Sequence, residues 1–352
     1  MSKATRKRQN LNRLGNVELL RAIAASWVVL THASGWVTAQ GIAHFGSSFF
    51  SFGYVGVDIF FAISGFVITL SYLSRPLSFV KFMWARVLRI VPLYWTVTLL
   101  TALVAVVYLA SGARSDAFSA MSPGWVFASL AFVSQSLFGI SPVVYQGWTL
   151  ELEMAFYLLF GAAIYLSKGR RALIFSNLTL ALVLVCGLQW LPTIVLEFCF
   201  GILVALFFRR APKTSKGTLA IAVLASSLGL IGLWISLTGG YAEELRFAAL
   251  GIPSALLLLA AVMFPQVDAA WINSIGSASY GIYLWQVLTI PISAPLALML
   301  FGDQLPLTLV FVPLLTTMVV GMLSDRYFDQ PVRAWLKKKV PIGQESRGHR
   351  ND

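Results

Sequence analysis

The sequence predicts an all-α, polytopic membrane protein of about ten transmembrane helices. Three observations predict it: an apolar composition, apolar runs that recur at membrane-crossing length, and basic residues gathered in alternate gaps between those runs. Of the 352 residues, 58% are hydrophobic and only 11% charged, and the mean hydropathy is +0.79. An average soluble domain carries roughly 25% charged residues. No soluble core absorbs so much apolar surface. The chain is therefore expected to hold one membrane domain over 17–328, between basic cytoplasmic tails at 1–16 and 329–352.

A hydrocarbon core of roughly 30 Å needs about 20 apolar residues of helix to cross it. Read against their breakers, such runs cover roughly Val17–Ala39, Phe49–Leu73, Ile90–Ser111, Val143–Ser167 and Ala172–Leu191. Five more cover Thr193–Phe208, Gly217–Thr238, Arg246–Phe264, Gly276–Leu300 and Pro306–Phe328. The first run follows a basic start, but it is longer than a signal-peptide core and lacks a small-x-small cleavage site, so it is expected to stay as the first helix. The stretch Trp125–Ile140 is apolar but too short to cross. Counting it would put Lys168, Arg170 and Arg171 outside, so it is assigned to a re-entrant or interfacial segment on the outer side.

With the N-terminus inside, the positive-inside rule tests this order independently. The inner gaps hold 23 of the 26 Lys and Arg, while Arg114 and Arg246 fall on or beside outer gaps and Arg21 falls within the first span. Both termini are therefore expected in the cytoplasm. The formal net charge of +12 sits in short clusters between spans, not on one folded face, so topology explains it and no nucleic-acid partner is implied. Cys186 and Cys199 lie in apolar stretches without a partner motif; they read as packing residues and imply no metal site.

Charges inside a span cost a few kcal/mol each by insertion scales, which makes each one a functional candidate. The first span carries Glu18, Arg21 and His32. Eleven residues of helix turn through about 1100° and rise about 16 Å, so Arg21 and His32 share a face, one near the cytoplasmic surface and the other in the outer half. Glu18, one turn before Arg21, can pair with it. One reading is an arginine that snorkels to the interface beside a satisfied polar histidine. The other is a site for a co-substrate that enters phosphate-first from the cytoplasm and carries its reactive group deep inside, as a pantetheine arm does.

Asp58 lies at a depth comparable to His32 in the second span, where a carboxylate normally has a partner. His32 is one candidate, since a carboxylate on one imidazole nitrogen leaves the other as base; a backbone amide at a kink is another. Arg86 and Arg89, three residues apart, point to one side of a helix and can clamp a phosphate, although a topology signal or lipid-headgroup site has the same pattern. Glu151 and Glu153 open the fourth span. Two residues apart, they diverge by about 200° and cannot both face one site, so one faces water or caps a helix N-terminus.

Together these segments resemble the acyltransferase 3 family, whose members carry Arg or Lys, ten residues, then His in the first span. Here that pair is Arg21 and His32, followed by GVDIFFAISGFVI at Gly56–Ile68, the R-x-x-R of Arg86 and Arg89, RIVPLYW at Arg89–Trp95, W-x-L-x-x-E-x-x-F-Y at Trp148–Tyr157, and SYGIYLWQ at Ser279–Gln286. The resemblance covers most of the chain and looks closest to the branch that decorates exopolysaccharides. It implies transfer of an acyl group, most often acetyl, from cytoplasmic acyl-CoA to a sugar hydroxyl of an exported or surface polysaccharide, in the bacterial inner membrane. The partners implied are acyl-CoA as co-substrate with no bound cofactor, a polysaccharide or lipid-linked glycan acceptor, and the lipid bilayer.

Carried over by position, His32 matches the essential histidine, Arg21 its partner, Arg86 and Arg89 the arginine pair, and Glu153 the motif glutamate; Glu151 has no counterpart. Many members have histidine where this chain has Gln286, which cannot act as a base and so weakens any second-histidine mechanism here. The resulting expectation has Arg86, Arg89 and Arg21 holding the phosphates and His32 taking the proton of the attacking hydroxyl, with Asp58 or Glu153 orienting the imidazole. Ser64, Tyr94 or Trp148 would stabilise the oxyanion, with Glu18 and Tyr157 in support. An acyl-histidine intermediate is equally compatible. Rival readings are acylation of a lipid-linked or small glycosylated acceptor on the cytoplasmic side, toward which Trp36, Trp125, Tyr145 and Tyr241 on the outer loops do not lean, and a glycan or solute transporter, against which the lack of internal repeats speaks.

Overall fold

The computed structural model describes residues 14–43, 45–112, 121–168, 170–211 and 216–339. The basic start before Leu14, His44, Arg114, Lys213 and the tail that carries His349 lie outside the described residues. Every regular element among the described residues is helical. The longer helices are α1 (Gly15–Ala39), α2 (Val55–Ser74), α3 (Phe79–Ala110), α4 (Gly147–Leu166), α5 (Arg171–Gly187), α6 (Glu197–Arg210), α7 (Lys216–Gly239), α8 (Gly251–Met263), α9 (Ala270–Phe301), α10 (Thr308–Ser324) and α11 (Gln330–Lys339).

Among the described residues, seven helical stretches are long and apolar enough to cross a membrane: Ser47–Ser74, Phe79–Ala110, Gly147–Leu166, Gly217–Gly239, Glu243–Met263, Ala270–Phe301 and Thr308–Lys339. The protein is thus a multi-pass, all-α membrane protein. Three expected spans fall short by that measure. The helix α1 is long enough at 25 residues but carries Glu18, Arg21 and His32, whereas α5 has 17 residues and α6 has 14.

Helix boundaries depart from the apolar runs where a helix continues past the apolar stretch. The third span was expected from Ile90, but α3 begins at Phe79 and carries Arg86 and Arg89 within it, passing through Pro92. An interior proline removes one backbone hydrogen bond and costs about 3 kcal/mol; burial of Leu88, Ile90, Leu93 and Tyr94 on the same helix offsets that. Likewise α9 starts at Ala270, before the expected Gly276, and contains Pro291 and Pro295. At its far end α10 runs through a π-helical turn, Asp325–Asp329, into α11, and Arg333 bridges Asp325 and Asp329 at 3.3 and 3.0 Å across it. The stretch Trp125–Ile140 folds as two short helices, Pro123–Leu130 and Ser134–Phe138, of 8 and 5 residues.

Glycines set how closely the central helices approach. A Cβ on Gly65 of α2 would lie 2.1 Å from the Phe198 carbonyl oxygen of α6, and one on Gly201 of α6 would lie 2.0 Å from the Ala62 oxygen of α2. The two helices meet backbone to backbone, which only glycine allows. Beside that contact an aromatic column locks four helices together: Phe198 stacks on Phe61 at 4.7 Å and on Phe156 at 4.1 Å, and Phe160 stacks on Phe82 at 5.1 Å. Such pairs add about 0.5–1.5 kcal/mol each beyond buried area. This rigid wall, with α1 and α9 packed across from it, holds the cavity described next.

Candidate functional site

Helices α1, α2, α3, α4 and α9 enclose a cavity with about 550 Å³ of empty space. Chain direction orders its lining. At one end stand Arg21 of α1, Ser64 of α2, Arg89 of α3, Glu153 of α4 and Ser279 and Tyr280 of α9; at the other stand Val57, Phe60, Thr149 and Tyr283. The first end is polar and charged, and the second is mostly apolar.

The charged end is one connected network. The Tyr157 hydroxyl donates a short hydrogen bond to Glu153 Oε1, and the Ser64 hydroxyl donates to the same oxygen at 2.9 Å. Arg21 pairs with Glu18 at 3.7 Å, one helical turn below it, as the spacing predicts. The Arg86 guanidinium lies 5.6 Å from the Phe82 ring centroid and 5.8 Å from that of Tyr157. Arg21 and Arg89 thus line this end with Glu153, and Arg86 lies against the Tyr157 ring outside the lining. The Nε atoms of Arg21 and Arg86 and the Ser279 hydroxyl are buried without a hydrogen-bond partner. An unfilled buried donor costs roughly 1–3 kcal/mol, so Arg21 and Ser279, both in the cavity lining, are poised to meet an anionic or carbonyl group. Tyr280 is committed, donating to the Ile90 carbonyl at 2.8 Å.

The far end is closed by a hydrogen bond between the Thr149 and Tyr283 hydroxyls at 2.9 Å, with the Gln146 carbonyl also accepting from Tyr283 at 3.4 Å. His32 does not line the cavity. Its ring sits edge-on to that of Tyr145 at 6.3 Å, and Tyr145 immediately precedes Gln146, so the imidazole lies beyond the closed end. Arg21 and His32 therefore flank the cavity from opposite ends of one helix face.

Several candidates go elsewhere. Asp58 does not meet His32: Arg246 Nε and a terminal nitrogen bind its two carboxylate oxygens at 3.2 and 3.0 Å. A fully buried carboxylate needs the strongest partner in reach, and a bidentate guanidinium is that partner. Tyr94 donates to the Ser129 carbonyl at 3.1 Å and Trp148 lines a separate groove, so of the three proposed oxyanion donors only Ser64 faces the cavity. Gln286 is buried outside it and donates to the Tyr283 carbonyl at 2.7 Å. Glu151 caps the N-terminus of Ser134–Phe138, accepting from the backbone of Gln135 and Ser136 at 3.0 and 2.9 Å.

Sequence reasoning missed Ser279, Tyr280 and Tyr283 as lining residues, although their helical spacing within SYGIYLWQ puts them on one face. It also missed Glu197, a carboxylate at 0% exposure beside Asp58, for which Gly251 leaves room: a Cβ there would lie 2.6 Å from Glu197 Cγ. A lone acid in an apolar run was the available signal.

Comparison with known proteins bears on this geometry. A family model described as "Acyltransferase domain" matches residues 14–325. The "Exopolysaccharide production protein ExoZ" of Rhizobium meliloti is 31% identical over 320 residues, covering 85% of this chain and 95% of the relative. The "Putative peptidoglycan O-acetyltransferase YrhL" of Bacillus subtilis is 27% identical over 93% of this chain, and the "Peptidoglycan O-acetyltransferase OatA" of Listeria monocytogenes 22% identical over 90%. The chain spans about half the length of those two, 56% and 55%. No solved structure matches.

Proposed function

Because the chain belongs to the acyltransferase 3 family, we propose that it is a membrane O-acetyltransferase that moves acetyl from acetyl-CoA to a sugar hydroxyl of an exported polysaccharide. The observation that carries this is a cavity with Arg21 and Arg89 at one end and His32 beyond the other, Arg21 and His32 lying on one helix face about 16 Å apart. A donor with phosphates at one end and a thioester at the end of a long arm matches that separation. The relatives' names, an exopolysaccharide production protein and two peptidoglycan O-acetyltransferases, support acetyl as the group and a polysaccharide as the acceptor.

In this mechanism Arg21, Arg86 and Arg89 hold the donor phosphates. The Thr149–Tyr283 bond yields so that the thioester reaches His32. The His32 imidazole takes the proton of the sugar hydroxyl as its oxygen attacks the carbonyl carbon; the C–S bond breaks, the ester forms, and the CoA thiolate leaves with the proton that His32 returns. Ser279, whose hydroxyl has no partner, and Ser64 serve as oxyanion donors. Glu153, fixed by Tyr157 and Ser64, balances the arginines so that they release CoA after transfer.

The decisive experiment follows labelled acetyl from acetyl-CoA to polysaccharide in membranes holding matched amounts of wild type and His32→Ala. Transfer by the wild type and its loss by about 10²–10⁴-fold in the variant is the result expected of a general base. Normal transfer by His32→Ala refutes the assigned base, and no transfer from any acyl-CoA by the wild type refutes the activity. The mechanism takes α1, α5 and α6 as spans too, giving ten crossings with both termini in the cytoplasm of a bacterial inner membrane. A periplasm-active reporter fused after Lys339 should then be silent, and an active one overturns this topology.

A further inference from the structure

A groove on the other side of α4 answers a different need, the holding of the acceptor. We propose that it binds the sugar chain that carries the acceptor hydroxyl and that it favours neutral or amino sugars over acidic ones; this rests on the reading of the protein as a sugar O-acyltransferase.

The groove is open to solvent, with about 1530 Å³ of space in and above it, nearly three times the 550 Å³ of the donor cavity by the same measure, so an extended chain can lie along it. A pyranose presents a flat face of C–H bonds and a rim of hydroxyls, so a site for it needs aromatic plates and short polar side chains that both donate and accept. The groove supplies both. Trp190, 73% exposed, and the half-buried Trp148 stand in its lining, with the side chains of Gln135, Gln189, Glu243 and Glu244 among them.

Its walls are tied, which makes it a built feature. Glu151 pins the Gln135–Ser136 wall to α4 by three hydrogen bonds, including one of 2.5 Å from the Ser136 hydroxyl. Thr193 donates to the Glu244 carbonyl at 3.1 Å and fixes the opposite wall.

Position connects the groove to the chemistry. The first turns of α4 present Trp148 and Glu151 to the groove and Thr149, Leu150 and Glu153 to the donor cavity. The Trp148 backbone N–H donates to the Tyr145 carbonyl at 3.3 Å in the turn that opens α4, and the Tyr145 ring sits edge-on to His32. A polymer lying in the groove is therefore held at the His32 end of the molecule.

Charge sets the preference. The lining carries Glu243 and Glu244, besides Glu151, whose carboxylate is spent on the Gln135–Ser136 wall, against Arg246 alone, and that guanidinium is taken up by Asp58. A uronate-rich or phosphate-bearing chain meets uncompensated negative charge there, a neutral chain does not, and an amino sugar is attracted.

An exposed indole also suits the lipid headgroup layer, and the test separates the two. Purified protein in nanodiscs is titrated with a neutral glucan hexasaccharide, a glucosamine hexasaccharide and a galacturonate hexasaccharide, and acetyl transfer is measured with Trp190→Ala, with Glu243→Gln/Glu244→Gln and with Trp234→Ala as an exposed-tryptophan control elsewhere. The proposal expects the neutral and amino sugars to bind at least tenfold more tightly than the uronate. It expects Trp190→Ala to raise the acceptor KM about tenfold with the KM for acetyl-CoA unchanged, and the double glutamine variant to narrow the discrimination. An unchanged acceptor KM in Trp190→Ala, with or without a fall in thermal stability, overturns the groove and leaves the O-acetyltransferase reading standing. Tighter binding of the uronate overturns the charge preference. Absence of acetyl transfer in the wild type strikes the earlier reading, while the binding titration still decides whether the groove holds sugar.

Discussion

Two of the charge clusters buried in this bundle differ in what completes them. Around Asp58 the protein supplies the cation itself: both carboxylate oxygens are held by Arg246, whose guanidinium also stands 5.3 Å from the Tyr54 ring centroid, and the neighbouring Glu197 keeps its two buried oxygens unpartnered. Around Glu153 donors are left over. Arg21 keeps an unfilled Nε donor in the cavity lining, and the Ser279 hydroxyl there has no partner either. The expense of a charge in a membrane marks a candidate, but of these two clusters it is the second whose unfilled donors line a cavity that can admit an anionic group. The first is a tie between α2 and the Glu243–Met263 span, made by residues 188 apart in sequence.

Breaking each cluster should therefore have opposite readouts. Arg246→Ala leaves Asp58 buried and unpaired, and a broken buried pair costs about 3–5 kcal/mol, so thermal unfolding in detergent should shift strongly downward. Joint replacement by Asp58→Asn and Arg246→Gln should recover part of the loss. A stable but inactive Arg246→Ala would make the first cluster catalytic and erase the distinction. Next in size, Ser279→Ala should lower kcat by about 10²-fold, as loss of an oxyanion donor does, with the unfolding temperature held. A drop in stability with kcat intact would mean that the hydroxyl serves packing.

Smaller effects sharpen the contrast. Arg89→Ala should raise the KM for acetyl-CoA about tenfold, or roughly 1.4 kcal/mol, and leave the acceptor KM alone; equal changes in both would place Arg89 outside the phosphate grip. Smallest is Tyr157→Phe, which removes one hydrogen bond from Glu153 and should cost about 1 kcal/mol, read as a few-fold rise in donor KM that Glu153→Gln abolishes when the two are combined.

How much of this the residues disclose depends on the range of the interaction. Arg21, Arg89 and Glu153 stand out because a charge in an apolar run is rare, and the Arg21–Glu18 pair because one helical turn separates them. Ser279, Tyr280 and Tyr283 were readable from their common face but carry no charge to attract notice. The partner of Asp58 was not readable, since no local spacing relates residue 58 to residue 246 and the nearer histidine offered a plausible chemistry. The start of α3 was misplaced for another reason: apolar runs mark where lipid is, whereas helices such as α3 and α9 continue beyond it into polar sequence.

The bond between Thr149 and Tyr283 has a meaning for the cell as well as for the reaction. A passage through a bilayer with arginines at one mouth would conduct small anions and drain the ionic gradients on which the cell runs, since a few ångströms of wet pore suffice for permeation. On the proposed topology, two hydroxyls 2.9 Å apart, from α4 and α9, would be the point at which such a leak is stopped between turnovers.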